Sequence, residues 1–292
     1  MSSPKISIVT PSYNQDDFLE ETILSVLDQN YPNIEYIIVD GGSSDGSVEI
    51  IKKYENKLAL WISENDRGHG NALNKGFSHS SGEIMAWINS DDKYTPGSLS
   101  IVAEIFEKFP HVMWIVGCNS WWNQDGLMTR SARTQKNIYD FLLGRYQWIQ
   151  QESVFWRRGL WEQAGGYINE DYKYMVDGEL WTRFFLHAEL YSVDSILSGY
   201  RVHAENRARK NYHICLTEMD KAVSIMRSGC SEHVRSTYFK LNVGIVNVPF
   251  WKYLPVSSFF RKFIYPSAYK TADYNNITNI NNKWIERTLP FI

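Results

Sequence analysis

Two carboxylates stand side by side in Asn89-Ser90-Asp91-Asp92, directly after the apolar run Ile84 to Ile88. At the end of a buried strand such a pair repels and loses solvation, so it needs a compensating charge. A divalent cation, Mn2+ or Mg2+, supplies it when carboxylates hold one side of the ion and phosphate oxygens the other. A helix cap or a solvated turn ahead of Pro96 is the plainer alternative for the same residues. Asp40 ends the run Ile34 to Val39 and is followed by Gly41-Gly42. The glycines let backbone approach a ligand while the carboxylate accepts a hydrogen bond, for instance from a nucleobase N–H. A tight turn, with Ser43, Ser44 and Asp45 capping the next helix, is the alternative. Much later, Asp177 precedes the helical stretch Glu179 to Ala188. Read from the residues alone, it suits an N-cap for that helix.

These side chains need a frame, and the hydrophobic pattern from Lys5 to about Gly117 provides one. Short runs rich in β-branched residues recur at Ile6 to Val9, Ile34 to Val39, Leu58 to Ile62, Ile84 to Ile88 and Val112 to Val116. Their brevity and lack of polar interruption suit strands buried on both faces of a parallel sheet. Their spacing of roughly 25 to 30 residues suits βα units. Asp17 with Glu20 predicts a capping box for the first helix, Ser47 opens the second, and Pro96-Gly97-Ser98 opens another. Open α/β sheets bind ligands beyond the carboxyl ends of their strands. Thr10 to Asn14, Asp40 to Asp45, Ser63 to Gly70 and Asn89 to Asp92 are therefore expected on one edge.

Three segments then carry a resemblance: Thr10-Pro11-Ser12-Tyr13-Asn14, Val39-Asp40-Gly41-Gly42-Ser43-Ser44-Asp45-Gly46-Ser47, and Trp87-Ile88-Asn89-Ser90-Asp91-Asp92 with Pro96 following. In order and spacing, over about residues 4 to 205, they resemble glycosyltransferase family 2, the inverting nucleotide-sugar enzymes of GT-A fold. The resemblance implies an α/β, Rossmann-like, mostly parallel sheet flanked by helices. It implies that Asp40 reads the nucleotide base with Thr10, Pro11 and Tyr13 beside it, and that Asp66 and Asn71 contact the nucleoside. Asn71 stands where relatives often carry aspartate. The metal falls to Asp91, with Asp92 supporting and His203 returning to the same ion or diphosphate; Asn89, replacing the usual first aspartate, and Ser90 face ribose or phosphate. Gly165-Gly166-Tyr167 followed by Asp177-Gly178-Glu179-Leu180-Trp181 is similar to the acceptor-side segment, whose aspartate is the base; this makes Asp177 the base and Glu179 its reserve. Trp121, Trp122, Gln151 and Trp181 are acceptor candidates.

On this reading residues 1–118 form the nucleotide-sugar-binding half, 119–206 the acceptor-binding and catalytic half of the same domain, and 207–292 a helical, aromatic-rich C-terminal extension. The expected function is transfer of a sugar from a nucleotide-diphosphate donor, UDP favoured, to a hydroxyl of a glycan or lipid-linked acceptor, in cell-surface polysaccharide synthesis. A degenerate nucleotide-sugar-binding scaffold is the non-enzymatic alternative, motivated by Asn89 and Asn71. A sugar nucleotidyltransferase would want a Gly-rich, basic phosphate loop after the first strand, and Thr10 to Gln15 holds neither glycine nor lysine.

Composition narrows the classes further. With 30 Lys+Arg against 33 Asp+Glu there is no basic face for nucleic acid. Aromatics at 15%, with 11 Trp and 18 Tyr, exceed what a core of this size needs and point to a lined site or an interface. Cys118, Cys215 and Cys230 are too far apart for a disulfide framework and read as small hydrophobes in a reducing compartment. Met1 to Thr10 lacks the apolar block of a signal peptide and no run reaches the ~18 apolar residues of a spanning helix, so the cytoplasm is expected. Phe250 to Tyr269, aromatic and basic, suits a peripheral contact at the inner membrane face or a homodimer surface.

Overall fold

The computed structural model describes residues 3–146, 149–206, 210–246, 270 and 272–291. The aromatic, basic segment Phe250 to Tyr269, and with it the membrane or dimer expectation, lies outside the described residues, as does Trp148. The first half alternates β1 (Ile6–Ser12), α1 (Asp16–Leu27), β2 (Ile34–Asp40), α2 (Ser47–Tyr54), β3 (Leu60–Ser63), α3 (His69–Ser78) and β4 (Ile84–Trp87). Strands β1, β2 and β4 are buried along nearly their whole length, as the unbroken apolar runs demand.

The chain runs outward from β1 to β2 to β3 and then returns to place β4 on the other side of β1, all in parallel. That reversal between β1 and β4 leaves a crevice beyond their carboxyl ends. The register puts Ser12 beside Asp40 and Asp40 beside Ser63, which gathers the expected polar groups on one edge.

Beyond β4 the parallel succession breaks. After β5 (Lys93–Tyr94), α4 (Ser98–Lys108) and β6 (Trp114–Val116), the strand β9 (Val154–Arg157) inserts antiparallel between β4 and β6. The strand β10 (Leu190–Val193) then pairs parallel with β6. A second sheet joins β5 to β11 (Ser198–Arg201), β7 (Asn119–Trp122) and β8 (Met128–Ala132). Short helices α5 (Ile138–Leu142) and α6 (Arg158–Gln163), then α7 (Val176–Phe184), α8 (Tyr212–Gly229) and α9 (Glu232–Val246), complete the described helices.

Two features depart from the sequence reading. Asp17 and Glu20 do not form a capping box: α1 begins at Asp16 after Gln15, with no side-chain cap. Instead Asp45 Oδ2 accepts the Asp16 N–H at 3.1 Å and Asp16 Oδ2 accepts the Gly46 N–H at 3.1 Å, so the starts of α1 and α2 satisfy each other. Glu20 is taken by Lys53 and Tyr54 of α2. The extension read as helical also carries a hairpin, β12 (Tyr274–Ile280) and β13 (Lys283–Leu289), added to the main sheet through β10. Its turn residues Asn281 and Asn282 both have positive φ, 53° and 60°, which a two-residue hairpin of this hand requires. Asn276 is buried, its amide donating to the Ser192 carbonyl at 3.0 Å.

The tryptophan excess goes largely inward. Trp87, Trp114, Trp156, Trp161 and Trp181 form one aromatic cluster with Phe77 and Phe184, and Trp87 stacks on Trp181 with centroids 5.7 Å apart. Where α3 crosses β1, Gly76 is the closest approach, since a Cβ there would run into Val9 Cγ1 and press on Val39. Gly76→Ala is expected to lower the unfolding free energy by about 1–3 kcal/mol despite alanine's better helix propensity. Urea unfolding monitored by circular dichroism measures it; an unchanged midpoint would show that α3 shifts freely on the sheet.

Candidate functional site

The acidic turn between β4 and β5 is held from two sides, by α1 and by β11. Thr22 of α1 donates its hydroxyl to the Ser90 carbonyl at 3.0 Å and the Asp92 carbonyl at 2.6 Å. The Arg201 N–H on β11 donates to Asp92 Oδ1 at 2.8 Å, and the Arg201 guanidinium reaches the Asp91 carbonyl at 2.7 Å, the Gln124 carbonyl at 2.7 Å and the Glu21 carboxylate. Arg201 is only 2% exposed and lies over the ring of Phe18.

The two aspartates therefore diverge. Asp92, 1% exposed, turns inward, and burial with the nearby charges of Asp91 and Glu152 pushes its carboxyl well above the usual range. Asp91 stays partly open, and its Oδ2 lies 2.9 Å from His203 Nε2. That separation suits two adjacent ligands about an octahedral ion with bonds of ~2.1 Å. Among the described residues no third His, Cys, Asp or Glu completes a metal cluster with them. Two protein ligands with phosphate oxygens filling the remainder is how Mg2+-type ions are commonly held beside nucleotides. The donor set fits; Asp92, expected as a supporting ligand, is instead a pin beneath the turn. Ser90 is buried beside it, and Asn89 bridges the Asp92 carboxylate, at 3.4 Å, to His69 Nε2, at 3.1 Å.

Along the same edge Asp40 is fully enclosed. It accepts the N–H groups of Gly42 (3.1 Å) and Ser43 (2.9 Å) and the hydroxyls of Ser43 (2.5 Å) and Ser63 (2.8 Å). Its carboxylate thus builds the 40–43 turn. Asp66 packs against Gly41, where a Cβ would sit 2.9 Å from Asp66 Oδ2. Asp66 Oδ1 accepts the Gly68 N–H at 2.7 Å, and among the described residues Oδ2 accepts no hydrogen bond. Thr10 pairs with Tyr36 at 3.0 Å and Pro11 is buried, whereas Tyr13 is 61% exposed at the rim. Asn71 faces Glu170, to which it donates at 3.1 Å, and Arg67 binds the same carboxylate at 2.8 Å. An amide at 71 avoids the repulsion a second carboxylate would create there.

Asp177 occupies the first turn of α7 rather than its cap, which is Met175. Burial raises the Asp177 carboxyl to about 6, opposed by hydrogen bonds from the N–H groups of Gly178 and Asp177 itself. Glu179 is already committed: Arg183 grips it with Nε at 2.9 Å and Nη2 at 2.8 Å, and the same guanidinium ties down Tyr167 O at 2.8 Å in the glycine loop. Gly165 and Gly166, at φ 103° and 72°, adopt the left-handed backbone this loop needs.

Of the acceptor candidates, Trp181 is 1% exposed and Trp122 is buried beneath Lys93, its indole N–H donating to Ser120 at 2.8 Å. Gln151 is buried, donating to the Trp87 carbonyl at 2.5 Å. Trp121 is half-buried under Arg130. Sequence reasoning passed over Glu152, His69 and Glu170. Glu152 is buried with Oε1 unpartnered among the described residues, and burial raises it to about 8, with the charges of Asp177 and Asp91 adding to the rise. No spacing rule marks it; only folding brings its carboxyl near the charges of Asp91 and Asp177.

With this geometry in place, the family profile for glycosyl transferase family 2 matches residues 7–173. The chain belongs to glycosyl transferase family 2. An uncharacterized glycosyltransferase of Rickettsia prowazekii is 30% identical over 208 residues, 69% of this chain and 65% of that protein. The chain thus spans about 65% of the length of the first curated relatives it matches. A putative teichuronic acid biosynthesis glycosyltransferase of Bacillus subtilis, TuaG, is 39% identical over 99 residues, 33% of this chain and 39% of TuaG. Among solved structures, Staphylococcus aureus TarS (1–349) with UDP-GlcNAc superposes with a TM-score of 0.64 at 17% identity, covering 92% of this chain and 79% of TarS. A Pyrobaculum calidifontis mannosyltransferase with GDP-Man and Mn2+ gives 0.55 at 16% identity, covering 92% and 82%. The two solved structures share the fold of this family 2 chain, a central mixed sheet between helices.

The raised carboxyls bear on stability. Glu152 moves from an ordinary 4.5 to about 8, so between those values the folded chain holds a proton that the unfolded chain has released. Stability contributed by this group is present at low pH and lost as pH rises toward 8. Asp177 acts in the same sense up to about 6, while Glu35, lowered to about 2, changes stability only below its ordinary range. Melting temperature is therefore expected to fall from pH 5 to pH 8, and Glu152→Gln to flatten that fall, the two proteins differing most at pH 8. Parallel melting curves across that interval would show that Glu152 ionises freely in the fold.

Proposed function

We propose that the chain is an inverting, metal-dependent glycosyltransferase. It moves a sugar from a nucleotide-diphosphate donor, UDP-linked by preference, to a hydroxyl of a glycan or lipid-linked acceptor in cell-surface polysaccharide synthesis. The observation that carries this reading is the open Asp91–His203 couple on the sheet edge, in one chain with a half-buried carboxylate at the start of α7, Asp177, raised to about 6. Family membership, the UDP-GlcNAc bound in TarS and the pathway in TuaG's name support it; the donor half runs over residues 1–118, the acceptor half over 119–206, and 207–292 are the extension.

In this mechanism the nucleotide lies over β1, β2 and β3, with Tyr13 stacking on the base and Asp66 Oδ2 accepting its N–H. Asp40 acts indirectly, by shaping the turn that carries Gly41 beside Asp66. Asn89 and Ser90 border the ribose and diphosphate. Asp91 and His203 would hold the divalent ion, Mn2+ or Mg2+, which supplies charge to neutralise the departing diphosphate. The acceptor oxygen attacks the anomeric carbon opposite the diphosphate; its proton passes to Asp177, the C–O bond to the phosphate breaks, and the configuration inverts. A carboxylate at about 6 is ionised near neutrality yet basic enough to take that proton, which is where general-base efficiency is highest.

Transfer from UDP-sugars should show kcat/KM rising tenfold per pH unit below about 6 and level above it. Asp177→Asn should lose about 10²–10⁴-fold in kcat while UDP still raises the melting temperature, since a ligand of the native state alone stabilises by mass action. Undiminished turnover in Asp177→Asn removes Asp177 as the base. EDTA should abolish transfer and Mn2+ restore it; EDTA-resistant transfer removes the metal.

A further inference from the structure

We infer that the cavity between α5, α7 and α8 is a subsite for an alkyl chain carried by the acceptor, so that the hydroxyl presented to Asp177 belongs to a lipid-linked saccharide. The inference rests on the transfer reading above and on Asp177 as its base. About 510 Å³ lies between its walls with the open solvent at the mouth counted in, and about 50 Å³ of it admits the centre of a water molecule. Phe141 of α5, Asp177 and Trp181 of α7, and Tyr212, Leu216 and Met219 of α8 form its walls.

The lining decides the chemistry of the occupant. Among the described residues Asp177 is the lone carboxylate in the wall, and the hydroxyl of Tyr146, also in the wall, already donates to Asp220 at 2.8 Å. A bare sugar ring pressed into this space would bury several hydroxyls without partners, which is unfavourable for each. An alkyl chain has no such groups and gains from every methylene removed from water. Met175 and Met219 add adaptable thioethers, which shape themselves to flexible apolar ligands. Gly178, next to Asp177, matters here: a Cβ would collide with Met219 Sδ, so its absence lets α8 close the cavity directly beside the carboxylate.

The mouth separates a chain from a compact apolar group. Tyr212 and Leu216 stand one turn apart on α8, both lining the cavity and both exposed, at 48% and 37%. The apolar lining thus continues outward past the rim, as a chain longer than the cavity requires. A compact ring would end inside and leave that rim without a function.

The test is a series of n-alkyl glycosides of one sugar, methyl to dodecyl, kept below micellar concentrations, with UDP-sugar and Mn2+. KM is expected to fall roughly threefold per added methylene until the cavity is filled, with kcat nearly constant. Cys215, in the cavity wall, gives a readout besides turnover: the dodecyl glycoside should slow maleimide modification of the Cys215 peptide and the methyl glycoside should not. Cys215→Trp, filling the cavity, should flatten the chain-length dependence. Leu216→Glu at the rim should raise KM for dodecyl more than for methyl glycoside, with UDP-induced stabilisation confirming that each variant folds. Turnover with KM independent of chain length overturns the subsite and leaves glycosyl transfer standing. Aryl glycosides outperforming the alkyl series overturn the chain in favour of a compact group. Protection of Cys215 with no transfer from any donor overturns the acceptor role together with the transfer reading.

Discussion

Arg201 is the constraint on which the site depends. Its backbone N–H fixes Asp92, its guanidinium holds the Asp91 carbonyl, and Glu21 of α1 balances its charge. A buried guanidinium with three directed hydrogen bonds holds its surroundings far more rigidly than an exposed ion pair. Because Asp92 is drawn inward, Asp91 is left at the surface of the crevice beside His203, two residues beyond Arg201 on the same segment. One residue thus separates two adjacent aspartates into a support and an open ligand, and carries the histidine to its place.

A second division of labour runs through the acidic residues. Asp40 and Asp92 spend their hydrogen-bonding capacity on backbone and side-chain donors around them and so determine the shape of turns. Asp66 and Asp91 retain open oxygens. Asp177 sits between these extremes, partly satisfied by N–H groups of its own helix and raised by burial. Glu152 is the extreme case, a buried carboxyl raised to about 8 by burial, with the charges of Asp177 and Asp91 adding to the rise. Placing neutral and charged carboxyls close together limits repulsion in a crevice that must also accept a diphosphate.

The acceptor side is built differently from the donor side. Donor-facing groups come from strand ends, where the sheet fixes their spacing. Asp177 comes from a helix start, backed by a stacked tryptophan cluster and fronted by α8, with an apolar cavity alongside. The aromatic richness that suggested a lined site is mostly spent on making that backing rigid.

By itself the sequence determined the parallel βα half, the edge on which its polar turns meet and the family, because short β-branched runs and ordered motifs are local signals. The Asn281-Asn282 hairpin was also written locally, in a dipeptide suited to positive φ, though the asparagines around it hid the strands. Tertiary structure alone decided the rest. It inserted β9 antiparallel beside β4, replaced the Asp17–Glu20 cap with a reciprocal contact between α1 and α2, and committed Glu179 to Arg183. It also chose Asp91 over Asp92, since two neighbouring carboxylates are chemically equivalent until distant residues, here Arg201 and Thr22, give one of them donors and leave the other to the crevice.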